Sequence, residues 1–344
     1  MLLSMKVLFL TPFYFDLHKP IFNEFKKQGH DVFVVEDILF SWDYRLVDLE
    51  VYKKIVFRFL DRLLGRRKRY WINKIGQDNA YQQDFDMFLC INGTSFHPFL
   101  LEYLKKRNPQ IRSVLYLWDS LLFYDYLVYG RCFDRIFTFD PYDAKTFSGL
   151  KLLPTYWFPT KRSEIKYDLS IVGSDHDDRL SIVGSLYKQA EVLGLKTRLV
   201  VVLAKPMEHT GWIKYLRYFK KDYKKRCDEY EEKKKLGYTT TKPLPLGETM
   251  KLYDESRCIL DTDRPIQSGA TQRVIWSLVR GKKIVSTNSS LKEMPFYNEK
   301  QIKIIDRDNP VLDVDFIKDD FMFEVDDYFL NLRIDNWIKV LLDS

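Results

Sequence analysis

The feature that most constrains this chain is a series of short, continuously apolar runs, each followed by a helical pattern. In the first half they are "KVLFL", "HDVFVVE", "DMFLCING", "RSVLYLWDS" and "RIFTFD"; in the second, "YDLSIVGS", "KTRLVVVLA", "CILDT" and "KKIVSTN". A strand with one face in water alternates apolar and polar residues, whereas a strand apolar at nearly every position needs cover on both faces. The intervening segments supply that cover. One helix presents Ile21, Phe22 and Phe25 on a single face and closes at Gly29; others are centred on "PFLLEYLKKR", on "DRLSIVGSLYKQAEVLG" closed by Gly194, and on "ETMKLYDESR". Such alternation predicts parallel sheets wound on both sides.

The series runs twice. At 344 residues the chain exceeds one ordinary core. Between the two series, "LLPTYWFPTKRSEIK" has the prolines and charges of a linker. The expected architecture is therefore α/β, two Rossmann-like doubly wound domains over 1–160 and 161–324 with an interdomain cleft, and an amphipathic C-terminal helix over 325–344. Long charged helices are expected from about Asp48 to Tyr81 and from Trp212 to Lys235. Sheets of this kind bind ligands at the carboxyl ends of their strands.

Composition narrows the partners. No apolar run approaches the ~20 residues that cross a bilayer, and "MLLSMKVLFLTPFYF" lacks the basic start and cleavage site of a signal peptide. Cys90, Cys132, Cys227 and Cys258 form no CxxC pair, which predicts reduced thiols in a cytoplasmic protein, with no disulfide frame or zinc site. The net charge of +7 is concentrated in 65–69 ("GRRKR") and 214–226 ("KYLRYFKKDYKKR"). With no nucleic-acid motif present, these clusters point to docking on an anionic membrane surface rather than to nucleic acid. A solvated helix is the plainer reading, and the acidic run 228–232 offsets the second cluster.

Several loops could carry chemistry. In "RPIQSGATQRVIWSLVRGKKIVSTN" (264–288) Ser268 reads as a helix N-cap, Gly269 lets a ligand approach, and Arg273 could bond a phosphate, so that a diphosphate fits the helix start. An ordinary capped helix with a surface arginine explains the spacing equally well. In "GSDHDDR", Gly173, Ser174 and Arg179 could meet phosphates, as could Lys205 after "LVVVLA"; the alternatives are a helix capped by Asp177 or Asp178, a surface Arg179 and a solvated Lys205. "DTD" (261–263) sits at a strand end and reads as capping rather than as a metal motif. Asp16, His18 and Asp119 follow strands in the first half and are candidate general bases, with capping, surface and turn roles as their alternatives. His97 and His176 lack a second ligand at metal spacing.

The order "CILDT", Pro265, Gln267, Gly269, Arg273, "GKKIVSTN" resembles the C-terminal domain of bacterial GT-B glycosyltransferases of capsule and lipopolysaccharide synthesis, as do the two-domain layout, "YLWDS", "FDRIFTFDPYDA" and "YDLSIVGS". The resemblance implies a second domain that holds a nucleotide-sugar donor through Gly173, Ser174, Arg179, Lys205, Gln267, Ser268, Gly269 and Arg273. It implies a first domain that receives a saccharide or lipid-linked acceptor, a last helix braced on that domain, and metal-independent transfer without a cofactor on the cytoplasmic side of the membrane. Many such enzymes carry a ribose-binding glutamate a few residues after the glycine; this chain has Trp276 near that place. A non-catalytic sugar- or partner-binding subunit of a polysaccharide-assembly complex, or a nucleotide-sugar epimerase, are the alternative expectations.

Overall fold

A computed structural model of the chain describes residues 4–38, 65–123, 126–206, 215, 217–320 and 324–343. It forms two compact units. The first contains Met1–Phe158, Ile266–Ala270 and Asp327–Ser344; the second contains Pro159–Pro265 and Thr271–Asp326.

The first unit is built on strands β1 (Lys6–Thr11), β2 (Asp31–Glu36), β3 (Met87–Ile91), β4 (Arg112–Leu117), β5 (Arg135–Thr138) and β6 (Leu150–Leu152). They lie in the order β2-β1-β3-β4-β5-β6, all parallel. The continuous apolar runs have the double cover they demand. Leu8, Leu10, Phe88, Cys90, Leu115 and Leu117 face one core, shared with Trp71 of helix α2 (Arg66–Gln77) and Leu100, Leu101 and Leu104 of α3 (Pro98–Arg107). Their alternates Val7, Phe9, Met87, Leu89, Ile91, Val114 and Tyr116 face the other, with Ile21 and Phe25 of α1 (His18–Lys27) and Trp337, Ile338 and Leu341 from the C-terminus. The period of two along each strand thus feeds two cores, one on each face. Two short helices, α4 (Leu127–Gly130) and α5 (Pro141–Thr146), follow β4 and β5.

The second unit repeats the plan. Strands β7 (Tyr167–Ser174), β8 (Thr197–Val202), β9 (Thr239–Thr240), β10 (Ser256–Asp261), β11 (Lys283–Ser286) and β12 (Ile302–Ile304) lie in the order β12-β11-β10-β7-β8-β9, again all parallel. The order reverses between β7 and β10, which makes their carboxyl ends the topological switch point where such sheets take ligands. Helix α6 (Arg179–Val192) covers one face with Ile182, Val183, Leu186 and Ala190. Helices α7 (Arg217–Lys233), α8 (Leu246–Asp254), α9 (Gln272–Leu278) and α10 (Val314–Lys318) follow.

The two Rossmann-like sheets match the expected fold class; several boundaries differ from the sequence reading. The C-terminal segment is two helices, α11 (Asp327–Asn331) and α12 (Ile334–Leu342). Between them Arg333 is extended and forms a bridge with Trp157; Trp157 N–H donates to Leu332 and Ile334 N–H to Trp157 (3.0 and 2.8 Å). Backbone pairing with a distant strand residue thus overrides the local helical pattern. The segment read as a linker begins inside the fold, since Leu153 and Tyr156 are buried in the α1-side core. The N-cap of α9 is Thr271, whose hydroxyl accepts from Val274 N–H, and not Ser268. Arg273 therefore stands in the first turn of α9. Of the long charged helices, residues 39–64 and 207–214 lie outside the described residues.

Trp337 is fully buried, tilted against Tyr116 and Tyr156, and donates its indole N–H to Pro154 (3.0 Å). Trp337→Ala should cost about 3–5 kcal/mol of stability, read as a lower urea midpoint in far-UV circular dichroism.

Candidate functional site

Backbone strain marks where each sheet is special. The non-glycine residues with positive φ among those described are Phe15 (50°), Asp16 (61°), Asn92 (59°) and Asp177 (49°). They follow the carboxyl ends of β1, β3 and β7. Such conformations persist where the surroundings over-determine them, often at ligand-holding loops.

In the second unit the site is organised around Gly173 and Asp261. A Cβ on Gly173 would lie 2.7 Å from Nη1 of Arg179 and 3.2 Å from Nη2 of Arg273, so the missing side chain is the space that lets two guanidinium groups lie against β7. Asp261, the last residue of β10, is fully buried. Its carboxylate accepts from Arg273 Nη1 (2.7 Å), the Thr271 hydroxyl (2.8 Å) and the Ser286 hydroxyl (2.9 Å). Arg273 is thereby neutralised inside the protein, and Asp261 of "DTD" acts as a hub for side chains.

Arg179 differs. It is only 5% exposed, yet among the described residues no carboxylate lies within ion-pair distance. Its guanidinium donates to neutral oxygens: the Thr262 hydroxyl (2.7 Å), the Thr262 carbonyl (2.5 Å) and the Ser174 carbonyl (2.7 Å). Burial first, and then Arg273, pull its pKa down to about 9. It remains a cation at neutral pH, and the nearby Asp261 carboxylate offsets part of its charge without an ion pair. His176 reports the same field: burial, then the charges of Arg179, Arg264, Arg273 and Arg307, hold its pKa at about 2, so its ring is neutral. Arg264 pairs with the Asp177 carboxylate (3.1 Å), which also meets His176 Nδ1 (2.7 Å). Arg307 bridges Asp178 (2.6 Å) and Asp263. Asp178 occupies the N-cap position of α6, but its side chain makes no cap bond and goes to Arg307. The carboxyl edge around β7, β10 and β12 thus gathers four arginines, of which Arg179 is the one with no carboxylate within ion-pair distance among the described residues.

The remaining donor-side candidates have other surroundings. Lys205 is exposed, three residues beyond β8. Gln267 is half-buried, and Ser268 and Gly269 belong to the first unit. The Ser268 and Gly269 N–H groups do face an anion, but it is the fully buried Asp140 carboxylate (2.8 and 3.2 Å), which also takes the Ser268 hydroxyl. Gly269 is required by packing, because a Cβ there would lie 2.6 Å from the Phe139 ring. Trp276 is buried within α9.

At the carboxyl edge of the first sheet, Asp119 accepts from the Asn92 amide (2.8 Å) and the Tyr126 hydroxyl (3.1 Å). Asp16 pairs with Lys19 (3.0 Å). His18 opens α1 and stacks on Phe13 (centroids 4.1 Å apart). Burial lowers its pKa, and its buried Nδ1 has no hydrogen-bond partner. His97 is consumed as the N-cap of α3, accepting from Phe99 N–H. Asp37, which the sequence reading passed over, clips the loop after β3 by accepting from the N–H and hydroxyl groups of both Thr94 and Ser95 (2.6–2.9 Å). Of the basic cluster 65–69, Arg67 is buried and bonds the Thr94 carbonyl (2.9 Å). In 214–226, Lys220, Lys221, Lys224 and Lys225 are exposed, whereas Arg226 pairs with Asp222 (3.0 Å).

No family model matches the chain, and no curated protein matches it by sequence. Solved structures do match. A trehalose-6-phosphate synthase, studied for enzymatic glycosyltransfer with retention, aligns over 99% of this chain and 98% of its own at 10% identity and a TM-score of 0.52. The glycotransferase of kitacinnamycin covers 97% and 95% at 11% identity, with a TM-score of 0.45. The UDP-GlcNAc 2-epimerase of Neisseria meningitidis covers 98% and 99% at 10% identity, with a TM-score of 0.43. The fold is thus two Rossmann-like α/β domains, the fold class of the GT-B glycosyltransferases.

The site yields two tests. Gly173→Ala should displace the Arg179 guanidinium and cost about 1–3 kcal/mol by overpacking, seen in urea unfolding. Asp143, fully buried beside Asp140, has its pKa raised to about 6, chiefly by burial. Its folded state therefore resists ionisation, and the stability it contributes at low pH is lost as pH rises from about 4 to about 6. Across that window the stability of the wild type minus that of Asp143→Asn should fall by roughly 2–3 kcal/mol; a flat difference would remove the assignment.

Proposed function

We propose that the chain is a glycosyltransferase that moves a sugar from a nucleotide-sugar donor to a saccharide or lipid-linked acceptor. The observation that carries this reading is Arg179, a buried guanidinium without a carboxylate partner at the switch point of the second sheet, held beside Arg273 by Gly173. A nucleoside diphosphate supplies the missing negative charge. As the glycosidic bond to the donor breaks, negative charge grows on the leaving phosphate, and a fixed cation in a dry site stabilises it. The Arg179 guanidinium performs this task without calling on a metal. His176, neutral, offers a hydrogen bond there instead of a further charge.

On the acceptor side a base is needed if the anomeric centre inverts. His18 suits that role: its ring is held by stacking on Phe13, is neutral at physiological pH, and has a free Nδ1. Asp119 already accepts two donors on one oxygen and is the second choice. The exposed lysines 220, 221, 224 and 225 favour an anionic membrane surface as docking partner, which would suit a lipid-linked acceptor in surface polysaccharide synthesis. Among the described residues no helix is long and apolar enough to cross a membrane.

Saturation-transfer NMR with UDP-, GDP-, CMP- and dTDP-sugars tests the reading. At least one should bind, and Arg179→Gln, checked for fold by circular dichroism, should weaken it by about 10–100-fold, the value of losing a charge-assisted bond. Failure of every nucleotide to bind the wild type would sink the proposal. Turnover of the sugar without an acceptor, to an epimer, would replace the transferase reading with an epimerase.

A further inference from the structure

Arg179 touches chain segments rich in carboxylates and pairs with none of them. Its guanidinium donates to the Ser174 carbonyl and to the hydroxyl and carbonyl of Thr262. Asp175 follows Ser174, Asp177 and Asp178 precede Arg179, and Asp261 and Asp263 flank Thr262. Each of these five carboxylates has another cation. Asp175 meets Lys233 of α7 (2.7 Å), Asp177 meets Arg264 (3.1 Å) and Asp261 meets Arg273 (2.7 Å). Asp178 and Asp263 both meet Arg307. A buried cation left without an ion pair is costly, and here the protein has local carboxylates to spare yet commits them all elsewhere.

Of these competing cations Arg307 holds the most. Its Nη1 meets Asp178 (2.6 Å), and its Nη2 donates to the Asp263 carbonyl (2.8 Å), the Asp263 carboxylate and the Thr287 hydroxyl (3.0 Å). One planar fork thus fastens the loops after β7, β10 and β11, a span that a point charge could not match. Asp263 has the Thr287 hydroxyl as a second donor (2.6 Å). Among the described residues the Asp178 side chain has Arg307 alone.

Asp178 is therefore the carboxylate that Arg307 controls. It is next to Arg179 in sequence, and it stands at the N-cap position of α6 without capping it. Freed of Arg307, its carboxylate has two local attractions: the neutral N–H groups of α6 and the guanidinium of Arg179. A charge-assisted bond to a shielded cation is the stronger.

We propose that Arg307 is a positioning residue that withholds the Asp178 carboxylate from Arg179 and so keeps that buried guanidinium unpaired. The glycosyltransferase reading is needed only to name a donor phosphate as the anion that Arg179 then takes.

Urea unfolding of the full chain tests this without a ligand. Arg179→Gln and Asp178→Asn are combined in a double-mutant cycle, once in the wild type and once in Arg307→Gln. With Arg307 present the two shifts in urea midpoint should add. In Arg307→Gln the double change should cost less than the sum, because either change alone breaks the new pair. Arg307→Lys keeps a charge but lacks the fork; it replaces Arg307→Gln if that variant does not fold, and should show the same non-additivity, smaller. Additive shifts in the Arg307 variant would overturn the proposal and give Asp178 to the cap of α6.

Calorimetry with inorganic pyrophosphate on the same proteins adds a second readout. Where the wild type binds it, Arg307→Gln should weaken binding about tenfold, the worth of one charge-assisted bond, and adding Asp178→Asn should restore it. Binding unchanged by Arg307→Gln would overturn the proposal. So would a loss that Asp178→Asn does not rescue, since an arginine that touched the anion itself, or only held the fold, gives that result. The two claims separate cleanly. Nucleotide-sugar binding together with additive shifts removes this inference alone; non-additive shifts in a chain that binds neither pyrophosphate nor any nucleotide sugar remove the donor reading and keep the role of Arg307.

Discussion

The second unit depends on one buried carboxylate. Asp261 ends β10 and collects Arg273 and Thr271 from the start of α9 and Ser286 from the end of β11. A lone charge in that position would be strongly destabilising; paired with a guanidinium and two hydroxyls it fixes three elements in one geometry. The consequence reaches beyond packing. With Arg273 paired to Asp261, Arg179 is left without an ion pair of its own, though it lies in the field of the same carboxylate, and Gly173 leaves the room that both guanidinium groups need. The anion-seeking character of this edge is thus set by which arginine the protein neutralises internally.

Much of the fold was legible because its signal is redundant. The core strands of the first unit are apolar on both faces, so that Leu8 and Phe9, or Phe88 and Leu89, adjacent in sequence, enter opposite cores of a covered sheet. The short strands β6, β9 and β12 carry two or three residues each, too few for a period to appear. Their invisibility had a price at the site: Arg307 follows β12, and nothing in "IIDRDNP" places it beside Asp178 and Asp263. The break at Leu332–Arg333 was hidden for a different reason, since the local pattern is helical and the competing partner, Trp157, is far away in sequence.

The stretch 264–288 is the most informative sequence, and its partners lie furthest from what local spacing implies. Its Ser-Gly pair was read as a cradle for a ligand anion. Those N–H groups and the serine hydroxyl are instead taken by Asp140, a carboxylate that local spacing could not connect to them. Arg273 and Arg179 both read as possible phosphate contacts; the first forms an ion pair with Asp261 and the second is buried without one. Sequence spacing identifies residues able to hold an anion, but not whether the protein already supplies one.

That distinction also separates the two units. The second unit gathers buried guanidinium groups at its carboxyl edge; the first leaves buried polar atoms without hydrogen bonds. Trp118, His18 and Thr155 are each held by well-bonded neighbours, so the protein keeps unsatisfied atoms where a small shift or a polar substitution could have relieved them. Such groups each cost about 1–3 kcal/mol, and strained φ values at Phe15, Asp16 and Asn92 add to the same edge. A stability cost concentrated past the carboxyl ends of parallel strands, and offset elsewhere by two well-packed cores, is what a ligand-binding edge requires.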